Sequence, residues 1–352
     1  MFSPGKTSSN GLKGKKILIR ADGSHAIGLG HVYRMKALAL ALEEAEAHVA
    51  FLTHSDKEAN HILLAVGLPC HAFQPSSYDA TLKQTLEAQQ PDLILQDILE
   101  TSDESMTALR ELSRTKIINF DDVGAGLTMA EAVINGLVFH WGRYKSDECT
   151  ARLFEGPKYM ILQKEIGPYV QLHKETAGSV KNVLLSFGGT DTHHLSEKVL
   201  EAMNCVKSPL GLKVHLGPGT RSTPSLEELV KASPHRVEII RSPDNLFEEF
   251  YNADLVICGG GITLYELAAL GVPSLSIATE DHEVYNTDYW SNIGTTTSLG
   301  SRETLDWDKI SEIVHGLLFD KDRRLQMSRI GKQTIDHLGL TRVLKVIEEV
   351  LN

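Results

Sequence analysis

The sequence predicts an α/β protein of two doubly wound parallel-sheet domains that face each other across a cleft. Three observations carry this. Short apolar runs alternate with longer segments of helical period, the mark of βαβ units. The alternation starts afresh near residue 181. The length of 352 residues suits two domains of roughly 100–200 residues each.

Residues 1–15 are polar and basic with no apolar segment after them, so they read as a flexible tail and not a secretory signal. Residues 16–20 (KILIR) form the first strand. Val32, Met35, Leu38, Ala39 and Leu42 then recur at spacings of three and four, an amphipathic helix. Residues 48–52, 92–96, 116–120 and 132–135 read as further strands, completing a domain over 16–165. The Gly167–Pro168 pair and the polar run QLHKETAGS mark a linker at 166–179. Residues 181–187 (KNVLLSF) open the second domain, 180–352, with strands at 212–216, 236–240, 254–258 and 274–278. Ligands of such sheets sit beyond the carboxyl ends of the strands, so the cleft between the domains is the expected site.

Composition removes several classes. With 35 Lys+Arg against 46 Asp+Glu the net charge is −11, which argues against a general nucleic-acid binder. No run approaches the ~18 apolar residues of a membrane span, so stable membrane insertion is not expected. Cys70, Cys149, Cys205 and Cys258 are far apart and form no C-x-x-C, which speaks against disulfides or structural zinc and for a reducing, cytoplasmic setting. The sequence contains no G-x-x-x-x-G-K-[ST], H-E-x-x-H or G-x-S-x-G.

Four segments can carry chemistry. The first runs from Arg20 through Asp22, Ser24, His25, Gly28, Gly30 and His31 to Arg34, from strand one into helix one. Its glycines admit a ligand close to backbone, and the helix start offers free N–H groups. His31 falls in the first helical turn, where a general base could face the cleft; Arg20 and Asp22 could orient it, bind the sugar or be a structural pair, and Ser24, Gly28, Gly30 and Arg34 are expected substrate contacts. The second is Gly259-Gly260-Gly261-Ile262-Thr263-Leu264-Tyr265-Glu266, where a strand enters three glycines and a helix leaves them. That geometry suits a diphosphate, and Glu266, one turn on, has lone pairs for both hydroxyls of a ribose. The third is Gly188–Gly189 after the second domain's first strand, a further backbone clamp or a plain turn. The fourth holds Asp281, His282 and Asn286, which could contact phosphate or sugar; its spacing matches no metal-ligand template. Asp121–Asp122 after KIINF suits loop capping at least as well as acid–base work.

Together, RADGSHAIGLGHVYR, FDDVGAG, AVINGL, GPKYMILQKE, LLSFGGTD and GGGITLYELAALGVPSLSIA resemble, in this order and over residues 16–300, the nucleotide-sugar hydrolases of pseudaminic acid biosynthesis. They also resemble the related spore-coat polysaccharide biosynthesis proteins, toward which AVINGL and GPKYMIL lean. The resemblance implies a GT-B fold with two Rossmann-like domains, related to the transferase that adds N-acetylglucosamine to lipid-linked peptidoglycan precursors. It implies release of UDP from a UDP-linked 2,4-diacetamido-2,4,6-trideoxyhexose. Because the spacing offers no ligand set and backbone amides with helix dipoles can hold a diphosphate, no metal or other cofactor is expected. The family's catalytic histidine falls on His31, and its nucleotide contacts fall on Gly260, Gly261 and Glu266. The family's G-G-S-T loop is here Gly260-Gly261-Ile262-Thr263, and its glutamine after the sixth C-terminal strand is here His282.

The expected activity is therefore hydrolysis of a UDP-sugar by water at the anomeric carbon, with His31 as base. The nearest rival is a GT-B glycosyltransferase using the same donor for a cell-surface or spore-coat glycan. A nucleotide-sugar-binding subunit without turnover is a third reading, against which the Arg20, Asp22 and His31 set argues.

Overall fold

A computed structural model describes residues 11–24, 28–138, 150–241, 243 and 245–352. His25 and Cys149 fall outside them. The first sheet has seven parallel strands: β1 (Lys16–Ala21), β2 (His48–His54), β3 (Cys70–Phe73), β4 (Leu93–Asp97), β5 (Lys116–Phe120), β6 (Ala132–Asn135) and β7 (Arg152–Glu155), in the order β3-β2-β1-β4-β5-β6-β7. The second has six, also parallel: β8 (Asn182–Ser186), β9 (Gly211–Leu216), β10 (Arg236–Arg241), β11 (Leu255–Gly259), β12 (Ser274–Ala278) and β13 (Thr296–Ser301), ordered β10-β9-β8-β11-β12-β13. Both are doubly wound, as expected. The chain reverses direction across the sheet between β1 and β4, and again between β8 and β11. At those two switch points the loops diverge and leave a crevice.

β3, β7 and β13 escape a reading by apolar runs. All three lie at sheet margins, where one side of the strand meets fewer neighbours and mixed sequences such as CHAF, RLFE and TTSLGS suffice. The central strands are the apolar ones: β4 is buried at every position.

Each sheet is covered on both faces. In the first domain, helix Gly30–Glu44 lays Val32, Met35, Leu38, Ala39 and Leu42 on one face. Helices Tyr78–Gln89 and Asp103–Leu112 cover the other. Helix Gly339–Leu351 closes that first face from the far end of the sequence. Its Val343, Val346, Ile347 and Val350 join the same core as Ile17 and Leu42. Lys116 Nζ donates to the Val350 carbonyl at 2.6 Å, a cation at the helix's negative end. The approach is close enough to require glycine. A Cβ at Gly339 would lie 1.9 Å from the Met160 carbonyl oxygen. Leu12, ahead of β1, is also fully buried in this core.

The second domain keeps its own core, and a further cluster joins Leu137, Met160, Leu162 and Ile166 to helix Thr263–Leu270, Trp290 and Ile335. The segment before β8 is fastened to the second domain by cations. Lys174 donates to the carbonyls of Tyr251 and Ala253, and the buried Arg324 to those of Leu317, Leu318, Ala177 and Gly178. Burial pushes Lys174 down to about 8. Among the described residues no helix is long and apolar enough to cross a membrane.

Candidate active site

Helix Gly30–Glu44 starts at the carboxyl end of β1, and helix Thr263–Leu270 starts at the carboxyl end of β11. Their N-termini meet across the two switch points. A Cβ at Gly30 would touch Ile262 Cδ1 at 3.4 Å, and one at Gly189 would meet Leu29 Cδ1 at 3.0 Å, so the loops of the two domains interlock here. Beside them lies a cavity of about 610 Å³. Of the residues singled out in the sequence, Gly28, Gly30, His31, Arg34, Gly188, Gly189, Gly260, Gly261, Ile262, Thr263, Glu266 and His282 line it. Arg20, Asp22, Ser24, Asp281 and Asn286 do not.

His31 is not oriented by Asp22 or Arg20. Its Nδ1 lies 2.5 Å from Oδ1 of Asp97, the last residue of β4. Arg34, one turn along the helix, donates from Nε to Asp97 Oδ2 at 2.8 Å and from Nη2 to Asp97 Oδ1 at 2.5 Å, and also bonds Asp121. Asp121 in turn accepts the Leu137 amide at 2.9 Å. Asp97 is fully buried and Arg34 nearly so. Burial alone would raise Asp97, but Arg34 and His31 hold it below the ordinary carboxylate value. Burial would likewise lower Arg34, but Asp97 and Asp121 outweigh it and hold the guanidinium charged. Asp121 is raised, burial prevailing over the help from Arg34. Because ionised Asp97 can only accept, Nδ1 of His31 carries a proton, and Nε2 is the ring nitrogen left to face a ligand or water. Arg34, expected as a substrate contact, has its guanidinium committed to two carboxylates.

Arg20 and Asp22 stay together elsewhere. Arg20 donates to the Tyr78 hydroxyl at 2.7 Å and lies over the Tyr78 ring, 4.5 Å from its centroid. It also donates to Asp22 at 3.3 Å, and Asp22 accepts the His54 amide at 2.8 Å. This is a guanidinium between an aromatic ring and a carboxylate on the β2–β3 side of the sheet, not a partner of His31. Ser24 pairs its backbone with Gly28, and Asp281 is exposed outside the cavity. Asp122 caps a loop, accepting from Thr101 and Gly124 amides and from Asn119.

On the opposite wall, Glu266 opens on the cavity, and no group among the described residues hydrogen-bonds its carboxylate. Burial pushes it up to about 7. Asn286, expected as a ligand contact, is fully buried. Its amide donates to the Gly260 carbonyl and its oxygen accepts from the Tyr265 hydroxyl at 2.8 Å, so it shapes the glycine loop from behind. His215 lies in the wall with Nδ1 3.0 Å from Ser186 Oγ, and burial pushes it down to about 4, leaving it neutral. His193 pairs with Glu280 at 2.8 Å on the rim. Among the described residues no cluster of three or more His, Cys, Asp or Glu is arranged to hold a metal ion.

No protein-family profile matches the chain. It is similar to the spore coat polysaccharide biosynthesis protein SpsG of Bacillus subtilis, 26% identical over 347 residues that span 94% of this chain and 97% of that one. It is 23% identical over 366 residues to the UDP-N-acetylglucosamine--N-acetylmuramyl-(pentapeptide) pyrophosphoryl-undecaprenol N-acetylglucosamine transferase of Histophilus somni, covering 96% of this chain and 99% of the transferase. Among solved structures, Acinetobacter baumannii MurG superimposes with a TM-score of 0.70 at 14% identity, over 95% of this chain and 99% of MurG. The chain has the GT-B fold.

Proposed function

We propose, from a GT-B fold whose domains meet over His31 and Glu266, that this chain is a nucleotide-sugar hydrolase. It releases UDP from a UDP-linked 2,4-diacetamido-2,4,6-trideoxyhexose, in the making of a nonulosonic acid or surface polysaccharide. The observation that carries the reading is the His31–Asp97 pair facing the glycine loops and Glu266 across one cavity. The first domain, completed by helix Gly339–Leu351, is the catalytic one, and the second holds the nucleotide. The name of the Histophilus somni relative supports a UDP-sugar donor, and that of SpsG supports a polysaccharide setting.

Glu266 receives the ribose hydroxyls. The diphosphate lies against the backbone amides of Gly260, Gly261 and Ile262 at the start of helix Thr263–Leu270, where N–H groups and the dipole favour an anion. The anomeric carbon then faces the first domain. A water near His31 loses a proton to Nε2 as its oxygen attacks that carbon. The bond from carbon to the β-phosphate oxygen breaks, and UDP leaves with the electron pair on the opposite face. Asp97, Asp121 and Arg34 suit this step. With both carboxylates ionised the buried cluster carries one negative charge, and protonation of His31 balances it, so the network stabilises the imidazolium as it forms. Backbone amides and helix dipoles stabilise the leaving diphosphate, so the reading includes no metal and no other cofactor.

A second reading, a glycosyltransferase with the same donor site, draws on the likeness to the Histophilus somni transferase. Incubation with the UDP-sugar and no acceptor tests both. Release of UDP supports the hydrolase. Release only when a sugar or lipid acceptor is added supports the transferase. Binding without turnover in either case leaves a binding subunit.

A further inference from the structure

The glycine loop and the His31 cluster lie on different domains, yet a chain of hydrogen bonds joins them. From His31 it runs through Asp97 and Arg34 to Asp121, which accepts the Leu137 amide. The next amide, of Val138, donates to the Tyr265 hydroxyl at 3.0 Å. That hydroxyl donates to Asn286 Oδ1 at 2.8 Å, and the Asn286 amide holds the Gly260 carbonyl. Tyr265 is fully buried, and its ring packs edge-on against Trp290 with centroids 4.8 Å apart. The hydroxyl is thus gripped by both domains, by the Val138 amide of the first and by Asn286 of the second. The loop packs closely on the helix behind it, since a Cβ at Gly260 would lie 2.5 Å from Thr287 Oγ1. The Gly260 carbonyl and the Gly261 amide belong to one peptide unit, so a ligand seated on that amide bears on Asn286 and, through it, on Tyr265.

We propose that Tyr265 is a positioning residue, through which occupation of the glycine loop sets Val138, Leu137 and Asp121 and so the Asp97–Arg34 support of His31. Its role is to make the base ready when the nucleotide is in place. The proposal rests on the reading of this cavity as a UDP site. The physical content is that two adjacent amides, 137 and 138, are held by groups from opposite domains, so neither can shift without the other.

The test uses the full-length protein with 15N-labelled histidine, the His31 signal being identified as the one lost in H31N, and UDP as the probe. Tyr265→Phe removes one oxygen and keeps the ring packing. In the wild type, saturation with UDP should move the His31 imidazole signal. In Y265F, UDP affinity by calorimetry should stay within about threefold, while the His31 response falls to roughly a third or less and turnover drops about tenfold at unchanged KM. A His31 response in Y265F clearly above a third of the wild type's overturns the proposal. Absence of any heat of UDP binding to the wild type overturns the donor-site reading itself, and is recognised without reference to the variant. Should Y265F not fold, exchange of the Val138 amide in the wild type decides. UDP should slow it about tenfold, the effect of tightening one buried hydrogen bond, and unchanged exchange overturns the proposal.

Discussion

Replacing Glu266 by glutamine should stabilise the empty protein while weakening its hold on UDP. The carboxyl is isosteric with the amide, so packing is preserved and only the charge is lost. Burial moves Glu266 from the ordinary value of 4.5 to about 7. At about 1.36 kcal/mol per tenfold, that gap sets an upper bound of roughly 3 kcal/mol on the cost of keeping the folded protein ionised there. The side chain opens on a wet cavity, so about 1–2 kcal/mol is the expected size. The sign follows from linkage. The folded state binds this proton more tightly than the unfolded state, so the cost is nil below pH 4.5, grows as pH rises, and is complete above about 7. E266Q should then match the wild type in thermal unfolding near pH 4.5–5 and exceed it by roughly 1–3 °C at pH 8, taking about 1.4 °C per kcal/mol for a chain of 352 residues. Calorimetry at pH 8 should show UDP affinity weakened by about 1.5–3 kcal/mol, the size of a hydrogen bond to a charged group. Wild-type affinity should also fall as pH drops below about 7. The nucleotide's own phosphate titrates near pH 6, and its contribution cancels against E266Q at each pH. Equal stability of the two proteins at pH 8 would refute the burial cost assigned to the Glu266 charge, and unchanged UDP affinity would refute its assignment to the ribose.

Three further outcomes are expected. His31→Asn and Asp97→Asn should each cut turnover by about 10²–10⁴ with UDP affinity nearly intact, the first by removing the base and the second by releasing its tautomer; activity within threefold of wild type in H31N removes His31 from the mechanism. In water labelled with oxygen-18 the label should appear on the free sugar, with inverted anomeric configuration, because the proposed pose turns the anomeric carbon, not phosphorus, toward His31; label in UDP means P–O cleavage and sinks the mechanism. Activity should survive excess EDTA, whereas loss restored by magnesium would overturn the metal-free reading.

The central strands and the glycine turns were legible because they are local. Apolar runs mark β1, β4, β8 and β11, and a glycine cluster after a strand marks a place where backbone meets ligand. The partner of His31 was not. Asp97 lies 66 positions away and one residue beyond the apolar run that betrays β4, and only the β1–β4 pairing brings the two together. A carboxylate at the carboxyl end of a strand beside the switch point was the available signal. Arg20 and Asp22 misled by their nearness in sequence to His31. The chain turns between them, and strand geometry sends Arg20 toward Tyr78. Asn286 misled in another way, since a helix carries residue i+4 back over residue i, and here that face is the buried one.

The return of helix Gly339–Leu351 to the first domain has a consequence for synthesis. The first domain's strands are complete at Glu155, but the apolar stripe of Ile17 and Leu42 stays uncovered until residues 339–351 have been made. At about 5–20 residues per second that interval is roughly 10–40 s on the ribosome. Throughout it the nascent chain carries a nearly finished sheet with one greasy flank open, while the second domain folds behind it. The protein is therefore finished by a clasp that its own later half delivers. Expression of residues 11–165 alone should yield a chain that associates through that flank, and supplying residues 335–352 as a separate peptide should restore it to solution.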